Sequence, residues 1–357
     1  MIKFYFLLLV FTFTSFSNEP LVAFYQNNEW HFWDINGKEM FKNNKVLDVL
    51  GYSEGMYSVV AKIKGKNKNC YMNDKGEITI ITNYDDIKDF SNGKAMVVNN
   101  FPLEEIDKRY GFINKDGSIF IKPNLIDATF FTDGLAYVYD DTRRGYIDTN
   151  GLMKIPLEKD IVGYPFSEGI ASISNKDYKI AFINKQGELI LPYNYQEPAY
   201  FKSGLAKANI GGVVGLMDKE GEMIINPQYS EILSFSEGYS FVGMLGKSMK
   251  YKWGLIDSTG QKLTELIFDE VHDFTNGLCS VKIGDFWEFI DTRGNTAINQ
   301  KFTFASQFSG KNPIAWVSFK FNNVKKSQFI NKNSSVYLEL PDNVVKAIDL
   351  RTNKVLY

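Results

Sequence analysis

The sequence predicts an all-β protein made of about nine short antiparallel β units in tandem. Three observations lead to this prediction: a turn signature that recurs along the chain, a second glycine-containing signature between the turns, and no apolar helical period of useful length beyond the N-terminal segment. Aromatic residues make up 15% of the chain, which suits strands more than helices. The array is interpreted as one domain, because repeated units can extend a single structural piece to this length.

The first signature is an Asp or Asn followed three positions later by Gly, after two apolar residues. In a type I turn followed by a left-handed residue, the Asp or Asn side chain accepts a backbone hydrogen bond, and Gly has no Cβ to clash. Successive turn glycines are 34 to 41 residues apart, which is a repeat period. The predicted turn pairs are Asp34 with Gly37, Asn73 with Gly76, Asn114 with Gly117, Asp148 with Gly151, Asn184 with Gly187, Asp218 with Gly221, Asp257 with Gly260 and Asp291 with Gly294. A ninth copy, Asn331 with Ser334, has lost the glycine.

The second signature is an aromatic residue, two mostly polar residues, a Gly and then an apolar alternation. An alternation of this kind predicts a strand with one side chain on each face in turn. The copies begin at Tyr52, Phe90, Phe131, Phe166, Phe201, Phe235 and Phe274, and an interrupted copy begins at Phe308. Each unit is therefore expected to contain three or four short strands.

Two architectures suit such an array: an open, superhelical β-solenoid and a closed ring like a β-propeller. We favour the open array, because nine units exceed the usual four to eight blades and the eroded last unit shows no evident strand to close a ring. Cys70 lies in the second unit and Cys279 in the eighth, so a disulfide between them would require closure. Burial of two free thiols is the simpler expectation.

Residues 1–17 are predicted to be a signal peptide and residues 18–357 the β domain. Lys3 precedes an apolar run over 4–13, and small residues stand at the two positions that a signal peptidase recognises before Asn18. The run is shorter than the roughly 20 residues that a membrane-spanning helix needs, and no second run follows it. The protein is therefore expected to be exported, to the periplasm, the cell surface or the medium, with no transmembrane span after cleavage.

Composition and motifs give no support to several functional classes. The formal net charge of −2 argues against general nucleic-acid binding, which needs a basic surface. Residues 51–55 spell G-x-S-x-G around Ser53, but the helix that a nucleophile elbow requires is missing, and Ser-Glu-Gly recurs in other copies of the repeat. The turns lack the carboxylate pattern of calcium loops, and His31 and His272 are the only histidines. We predict no catalytic residue, no cofactor and no metal ligand.

Binding residues are expected where the units differ. The loops between the glycine-started strand and the aromatic strand vary in length and are rich in lysine, with Lys64, Lys66 and Lys250 as candidates, although lysines also keep edges soluble. Most aromatics occupy fixed strand positions that suit a core. The unmatched ones are Tyr193, Tyr195, Tyr200, Tyr229 and Trp316, of which Tyr195 and Trp316 are the leading candidates. The function predicted is a non-catalytic scaffold that binds a protein partner through variable loops or a concave surface; the alternative is a cell-wall or polysaccharide-binding module.

The two signatures together resemble the WG repeat family, also called the KWG repeat family, which is found mainly in bacterial proteins. The octapeptide WGLIDSTG over 253–260 carries the only exact WG pair, and Tyr110-Gly111, Arg144-Gly145 and Val214-Gly215 keep the glycine. The resemblance covers roughly residues 20–340. It implies a β-repeat scaffold with no established common activity and supplies no catalytic residues.

Overall fold

The computed structural model describes residues 20–34, 38–100, 108–308, 314–321, 324–332, 336–339, 346–349 and 354–355. Within these ranges all regular secondary structure is β, with 35 strands in nine antiparallel sheets. The all-β tandem array predicted from the sequence is confirmed. The signal segment, Gly37 and Ser334 lie outside the described residues.

Each sheet is one blade, and in blades 2 to 9 the strands of a blade follow one another in the chain. The first five blades begin with the following strands, in chain order: β1 (Pro20–Gln26), β2 (Glu29–Asp34) and β3 (Glu39–Asn43) in blade 1; β4 (Val46–Ser53), β5 (Met56–Ile63), β6 (Lys66–Asn73) and β7 (Ile78–Ile81) in blade 2; β8 (Asp86–Ser91), β9 (Lys94–Asn100), β10 (Lys108–Asn114) and β11 (Ile119–Leu125) in blade 3; β12 (Asp127–Ala128), β13 (Leu135–Tyr139), β14 (Arg144–Asp148) and β15 (Met153–Pro156) in blade 4; β16 (Val162–Gly163), β17 (Ile170–Ser174), β18 (Ile180–Asn184) and β19 (Leu189–Tyr195) in blade 5.

Among the remaining blades, blades 6 and 7 have three regular strands each instead of four. Their strands are β20 (Ala206–Ile210), β21 (Val213–Met217) and β22 (Met223–Tyr229) in blade 6; β23 (Glu231–Ile232), β24 (Tyr239–Leu245) and β25 (Tyr251–Asp257) in blade 7; β26 (Glu270–Val271), β27 (Leu278–Ile283), β28 (Phe286–Asp291) and β29 (Thr296–Phe302) in blade 8; β30 (Phe304–Ala305), β31 (Ile314–Phe321), β32 (Val324–Asn331) and β33 (Val336–Glu339) in blade 9; and then β34 (Lys346–Asp349) and β35 (Lys354–Val355).

The array closes into a ring, which is the second of the two architectures considered. Strand β34, from beyond the ninth unit, pairs antiparallel with β1, with Val22 opposite Asp349 and Tyr25 opposite Lys346. It fills the first position of blade 1, whose order is β3-β2-β1-β34-β35. The expectation of an open array is thereby corrected: the closing strand is only four residues long and follows no turn signature, so the repeat pattern did not reveal it.

The turns between third and fourth strands have the geometry that their spelling suggests. At the second blade the Gly76 N–H donates to the carbonyl oxygen of Asn73 at 3.0 Å, and Gly76 has φ +78°. The Asn73 side-chain oxygen accepts hydrogen bonds from the N–H groups of Lys75 and Glu77, both at 3.0 Å. Asp148, Asn184, Asp218, Asp257 and Asp291 accept the same pair of backbone bonds. These side-chain oxygens serve the turns, which is the role that the Asp or Asn at this position predicts.

The hydrophobic core lies between the blades as well as within them. In blades 4, 5 and 9 the aromatic residue of the second signature is buried and packs against an aromatic of the preceding blade: Phe131 on Phe112, Phe166 on Tyr146, and Phe308 on Phe289, with ring centroids 4.8 to 5.2 Å apart. Both faces of each sheet are therefore covered, which explains the two adjacent apolar residues before each turn.

Antiparallel strands place the connections of every blade at two opposite faces of the ring. The turns joining first to second and third to fourth strands share one face, which we call the turn face. The hairpins joining second to third strands share the other, the hairpin face. The loops that vary in length belong to the hairpin face.

Candidate functional site

A cavity of about 340 Å³ lies between blades 6 and 7. Its apolar lining comes from Leu205, Val214 and Leu216 of blade 6 and from Leu233 and Phe235 of blade 7. Polar groups surround these side chains: Glu197, Tyr200, Lys202, Lys207, Asn209 and Glu231. Mixed cavities of this size are typical of binding sites in which apolar contacts give affinity and a few polar groups fix orientation.

The cavity exists because blade 6 has no first strand. In blades 5 and 7 the segment before the second strand pairs with it, and the N–H groups of Tyr164 and Leu233 donate to the carbonyls of Ser172 and Phe241. In blade 6 the corresponding N–H, that of Ala199, donates instead to the Ser172 hydroxyl of blade 5 at 3.0 Å. The segment is thus held against blade 5, and β20 is left without a partner on this side.

Exposed apolar side chains mark the hairpin tips of four consecutive blades. Tyr178 in blade 5 is 84% exposed and Met249 in blade 7 is 77% exposed. The other members are Ile210 and Val213 in blade 6, Met244 and Leu245 in blade 7, and Ile283 and Phe286 in blade 8. We call this set the apolar hairpin tips. Exposed apolar groups gathered in one part of a surface are a common mark of interaction sites.

The sequence-based candidate residues are not brought together. Lys64 and Lys66 are exposed at the tight hairpin of blade 2, where Lys64 has φ +48°, and Lys250 is exposed on the hairpin of blade 7. All three lie on the hairpin face, but three blades separate blade 7 from blade 2 by the shorter way round the ring. They do not form a single basic cluster.

The two leading aromatic candidates each pack against a phenylalanine of their own blade. Trp316 is 1% exposed and packs against Phe329 with ring centroids 4.9 Å apart, so it lies in the core and cannot form a surface platform. Tyr195 is half-buried against Phe182, and burial raises the pKa of its hydroxyl. Of the five unmatched aromatics, Tyr200 is exposed and lines the cavity.

The chemical groups considered in the sequence have structural partners. The Ser53 hydroxyl donates to the carbonyl of Phe90 at 2.8 Å, across the boundary between blades 2 and 3. His31 contacts Glu39 at 2.6 Å in blade 1, and His272 contacts Ser280 at 2.7 Å in blade 8. The described part of the chain contains no group of three or more His, Cys, Asp or Glu side chains placed to hold a metal ion.

The two cysteines are unbonded and buried in different blades. The Cys279 thiol donates to the carbonyl of His272 at 2.9 Å, and burial raises its pKa. Burial also raises the pKa of Cys70. Because the thiolate is the reactive form, both residues are packing groups. Ring closure therefore does not depend on a disulfide.

A second feature that the sequence did not reveal is a set of clamps between neighbouring blades on the turn face. In each clamp, a side chain from the turn after the first strand accepts backbone N–H bonds from the same turn of the next blade. Glu168 of blade 5 accepts from Ser203 at 2.6 Å and from Gly204 at 2.9 Å, and Lys219 of blade 6 lies 3.2 Å from it. Glu54 likewise accepts the N–H of Gly93 and forms an ion pair with Lys115.

Glu168→Ala is expected to lower the free energy of unfolding by about 1 kcal/mol at pH 7, because two N–H groups lose a charged acceptor that is partly exposed to water. Burial raises the pKa of Glu168, but the N–H bonds and Lys219 lower it by more, so it lies below its usual value. The stabilisation is present above the unfolded-state pKa and is lost as pH falls through the folded-state pKa. Urea unfolding at pH 7 and pH 3 measures both effects.

Glu168→Gln is the matched control, since it keeps one acceptor oxygen and removes the charge. Its free energy of unfolding should fall between those of the wild type and the alanine variant at pH 7. Equal stability of the wild type and Glu168→Ala at pH 7 would show that the clamp does not stabilise the ring. An undiminished difference at pH 3 would show that the charge of the carboxylate is not the cause of the stabilisation.

The fold defines the class of the protein: a closed, nine-bladed ring of β repeats resembling a β-propeller. The chain belongs to the family described as "WG containing repeat", whose model matches residues 71–100, 110–141, 181–213, 215–247 and 253–287. Each match begins in or at the third strand of one blade and ends at or just beyond the second strand of the next. The resemblance noted in the sequence is confirmed, and the sequence unit straddles two blades.

Several solved structures are similar in fold. BamB from Moraxella catarrhalis has 10% identity and a TM-score of 0.42, with 88% of this chain and 89% of that chain covered. The uncharacterized protein lmo1340 from Listeria monocytogenes has 12% identity and a TM-score of 0.37, with 87% and 93% covered. The WD40 domain of Toxoplasma gondii coronin has 11% identity and a TM-score of 0.34, with 84% and 90% covered. All three TM-scores are below 0.5, so these similarities carry no argument about this chain.

No curated protein matches the sequence of this chain. Over the described residues, no helix is both long enough and apolar enough to cross a membrane.

Proposed function

We propose that the chain is an exported, non-catalytic scaffold that binds a protein partner on its hairpin face, through the apolar hairpin tips of blades 5 to 8. The observation that carries this proposal is the exposure of apolar side chains on four consecutive hairpins, Tyr178 and Met249 above all. Burying such side chains against another protein removes apolar surface from water, which drives most protein association.

The distribution of roles within the repeat supports the same proposal. The recurring residues are used by the fold: the Asx turns, the aromatics between blades and the clamps. The hairpin tips have no comparable task, and they differ from blade to blade. A rigid ring that presents variable loops is a common arrangement for recognition.

The surface chemistry favours the apolar tips over the lysine edge. Long-chain lysines are depleted in the centres of protein interfaces, whereas aromatic residues and Met are enriched there. Lys64 and Lys66 stand on blade 2, away from blades 5 to 8, and their blade carries no member of the apolar hairpin tips.

Capture of the partner tests the proposal. Full-length protein with a C-terminal tag is expressed in a bacterial envelope, recovered without denaturation, and its bound proteins are identified. Met249→Asp combined with Phe286→Asp is expected to reduce the recovered partner about tenfold or more, the effect of removing central interface residues. N-terminal sequencing of the same bait tests export, with Asn18 as the expected first residue.

Lys64→Glu combined with Lys66→Glu is the matched control and should leave capture unchanged. Loss of capture with the lysine variant alone would move the interface to the lysine edge. Binding of the purified wild type to insoluble peptidoglycan, with no protein captured, would favour the cell-wall alternative. Recovery of bait that still begins at Met1 would contradict export by cleavage.

A further inference from the structure

We infer that the cavity between blades 6 and 7 binds an extended peptide segment, which pairs antiparallel with β20 and supplies the missing first strand of blade 6. This inference rests on the proposed function, since the segment would belong to the protein partner. It differs from the contact at the apolar hairpin tips because it uses the backbone of β20 as well as side chains.

The first step is the open edge of β20. Register with β21 pairs Lys207 with Leu216 and Asn209 with Val214, across a two-residue turn that joins Ile210 to Val213. In such a hairpin the residue that closes the turn bonds to its partner strand, and hydrogen-bonded pairs then alternate with non-bonded ones. Lys207 and Asn209 are non-bonded toward β21, so their N–H and C=O groups face the cavity.

Other blades show what these groups do when a first strand is present. Six residues after the aromatic of the second signature, the carbonyls of Tyr137, Ser172, Phe241 and Ser280 each accept a backbone N–H. Two residues further on, the carbonyls of Tyr139, Gly243 and Lys282 do the same. Among the described residues, nothing in the backbone donates in this way to the carbonyls of Lys207 and Asn209.

The chain's own segment is held away from this edge. The Ser172 hydroxyl, on a residue that is 1% exposed, donates to the carbonyl of Ala199 at 2.9 Å and accepts its N–H at 3.0 Å. Pro198, immediately before Ala199, has no N–H to offer. The two Ser172 bonds fix the segment on blade 5, and the space beside β20 remains as the cavity.

The cavity fits a strand with an aliphatic side chain at its centre. In blade 7 the first strand β23 places Ile232 opposite Val242, and Ile232 is fully buried. The apolar lining of the cavity, from Leu205 and Leu216 to Leu233 and Phe235, offers a comparable environment in blade 6. A three-residue stretch rises about 7 Å from its first to its third residue, which matches the separation of Lys207 and Asn209.

The charged side chains that line the cavity balance one another. Lys207 and Glu231 form an ion pair across it at 2.7 Å, joining blade 6 to blade 7. Glu197 and Lys202 are the other charged groups in its lining, so two positive and two negative groups are present. The lining therefore selects neither an acidic nor a basic peptide, and backbone pairing with an aliphatic centre is the expected mode. Such strand addition is a known way in which proteins recognise extended segments.

The test uses a probe taken from the chain itself, the peptide Tyr-Ser-Glu-Ile-Leu-Ser-Phe of residues 229–235, blocked at both ends and fluorescently labelled. It is expected to bind the full-length protein saturably in fluorescence anisotropy. In hydrogen exchange followed by NMR, the amides of Lys207 and Asn209 should be slowed by the peptide, while that of Ala208, which faces β21, should be unaffected. The same peptide with Asp in place of its Ile should bind at least tenfold more weakly.

Asn209→Pro removes one donor from the open edge without removing a bond to β21, and an edge strand tolerates such a proline. It should weaken peptide binding about fivefold or more, the loss expected for one hydrogen bond. Asn209→Thr keeps the N–H and should bind as the wild type does. Absence of saturable binding to the wild type, or equal affinity of the proline and threonine variants, would overturn the inference.

If Asn209→Pro does not fold, hydrogen exchange of the wild type still tests the inference. Amides of Lys207 and Asn209 that exchange equally fast with and without the peptide would overturn it. The capture experiment separates the two proposals. If the wild type and Asn209→Pro capture the same partner equally, the peptide site is wrong and the scaffold function stands. If nothing is captured while the peptide protects β20, the site stands and the proposed function fails.

Discussion

Removal of residues 346–357 is expected to lower the free energy of unfolding by roughly 2–6 kcal/mol, since the four paired residues of β34 make about four hydrogen bonds with β1, each of modest net worth. The loss falls where β34 joins the end of the chain to β1 among the described residues. Urea unfolding of the purified variant measures it, and hydrogen exchange should show faster amides over Val22 to Tyr25.

A shorter deletion controls for the loss of chain alone. Ending the chain after Asp349 removes β35 and keeps the closing pair, so its unfolding midpoint should remain near that of the wild type. Deletion from Lys346 also turns β1 into an unpaired edge, which favours association between molecules. A deletion variant that is monomeric and as stable as the control would contradict closure through β34.

Gly111→Ala is expected to cost about 2–3 kcal/mol, because overpacking against fixed atoms forces a shift of backbone. A Cβ at Gly111 would lie 2.6 Å from the Pro123 nitrogen and 2.7 Å from the Ile121 carbonyl oxygen. The glycine of the WG signature thus permits the fourth strand to approach the third. Thermal and urea unfolding of the variant test this result.

The same substitution at Gly254 is a matched comparison within the repeat. Its nearest atoms, the carbonyl oxygens of Thr264 and Glu265, would be 3.1 Å from a new Cβ. Blade 7 has no regular fourth strand, so its backbone has more room to adjust. Gly254→Ala should therefore cost less than Gly111→Ala, and the opposite order would show that close approach is not the role of this glycine.

The sequence predicted the parts of the fold that depend on local backbone chemistry. Asn73 and Gly76 form their turn from neighbouring residues, so their spelling alone carries the information. Ring closure depends instead on two segments more than 300 residues apart, and β34 has too few residues to show a pattern. The number of units favoured an open array. The pairing of β34 with β1 closes the ring instead, and no sequence pattern marks β34.

The candidate site was less accessible to sequence reasoning, because it is created by a strand that does not form. The segment before Phe201 contains Pro198 where blade 7 has Ile232, and this substitution within the repeat is the signal that could have found it. Tyr200 was noted because it does not match the repeat, and it does line the cavity. Trp316 was noted for the same reason, but it is buried. Irregular spacing within the repeat does not show which side of a sheet a residue faces.

The clamps join neighbouring blades mainly through backbone groups. Glu168 and Glu237 each accept two N–H groups from the turn of the next blade, at 2.6 to 2.9 Å. Glu168 also pairs with Lys219, whereas Thr292 occupies the corresponding position after Glu237. Because the shared bonds go to backbone N–H groups, the next blade can vary in sequence without losing them. The copies can therefore diverge elsewhere while the boundary between blades stays the same.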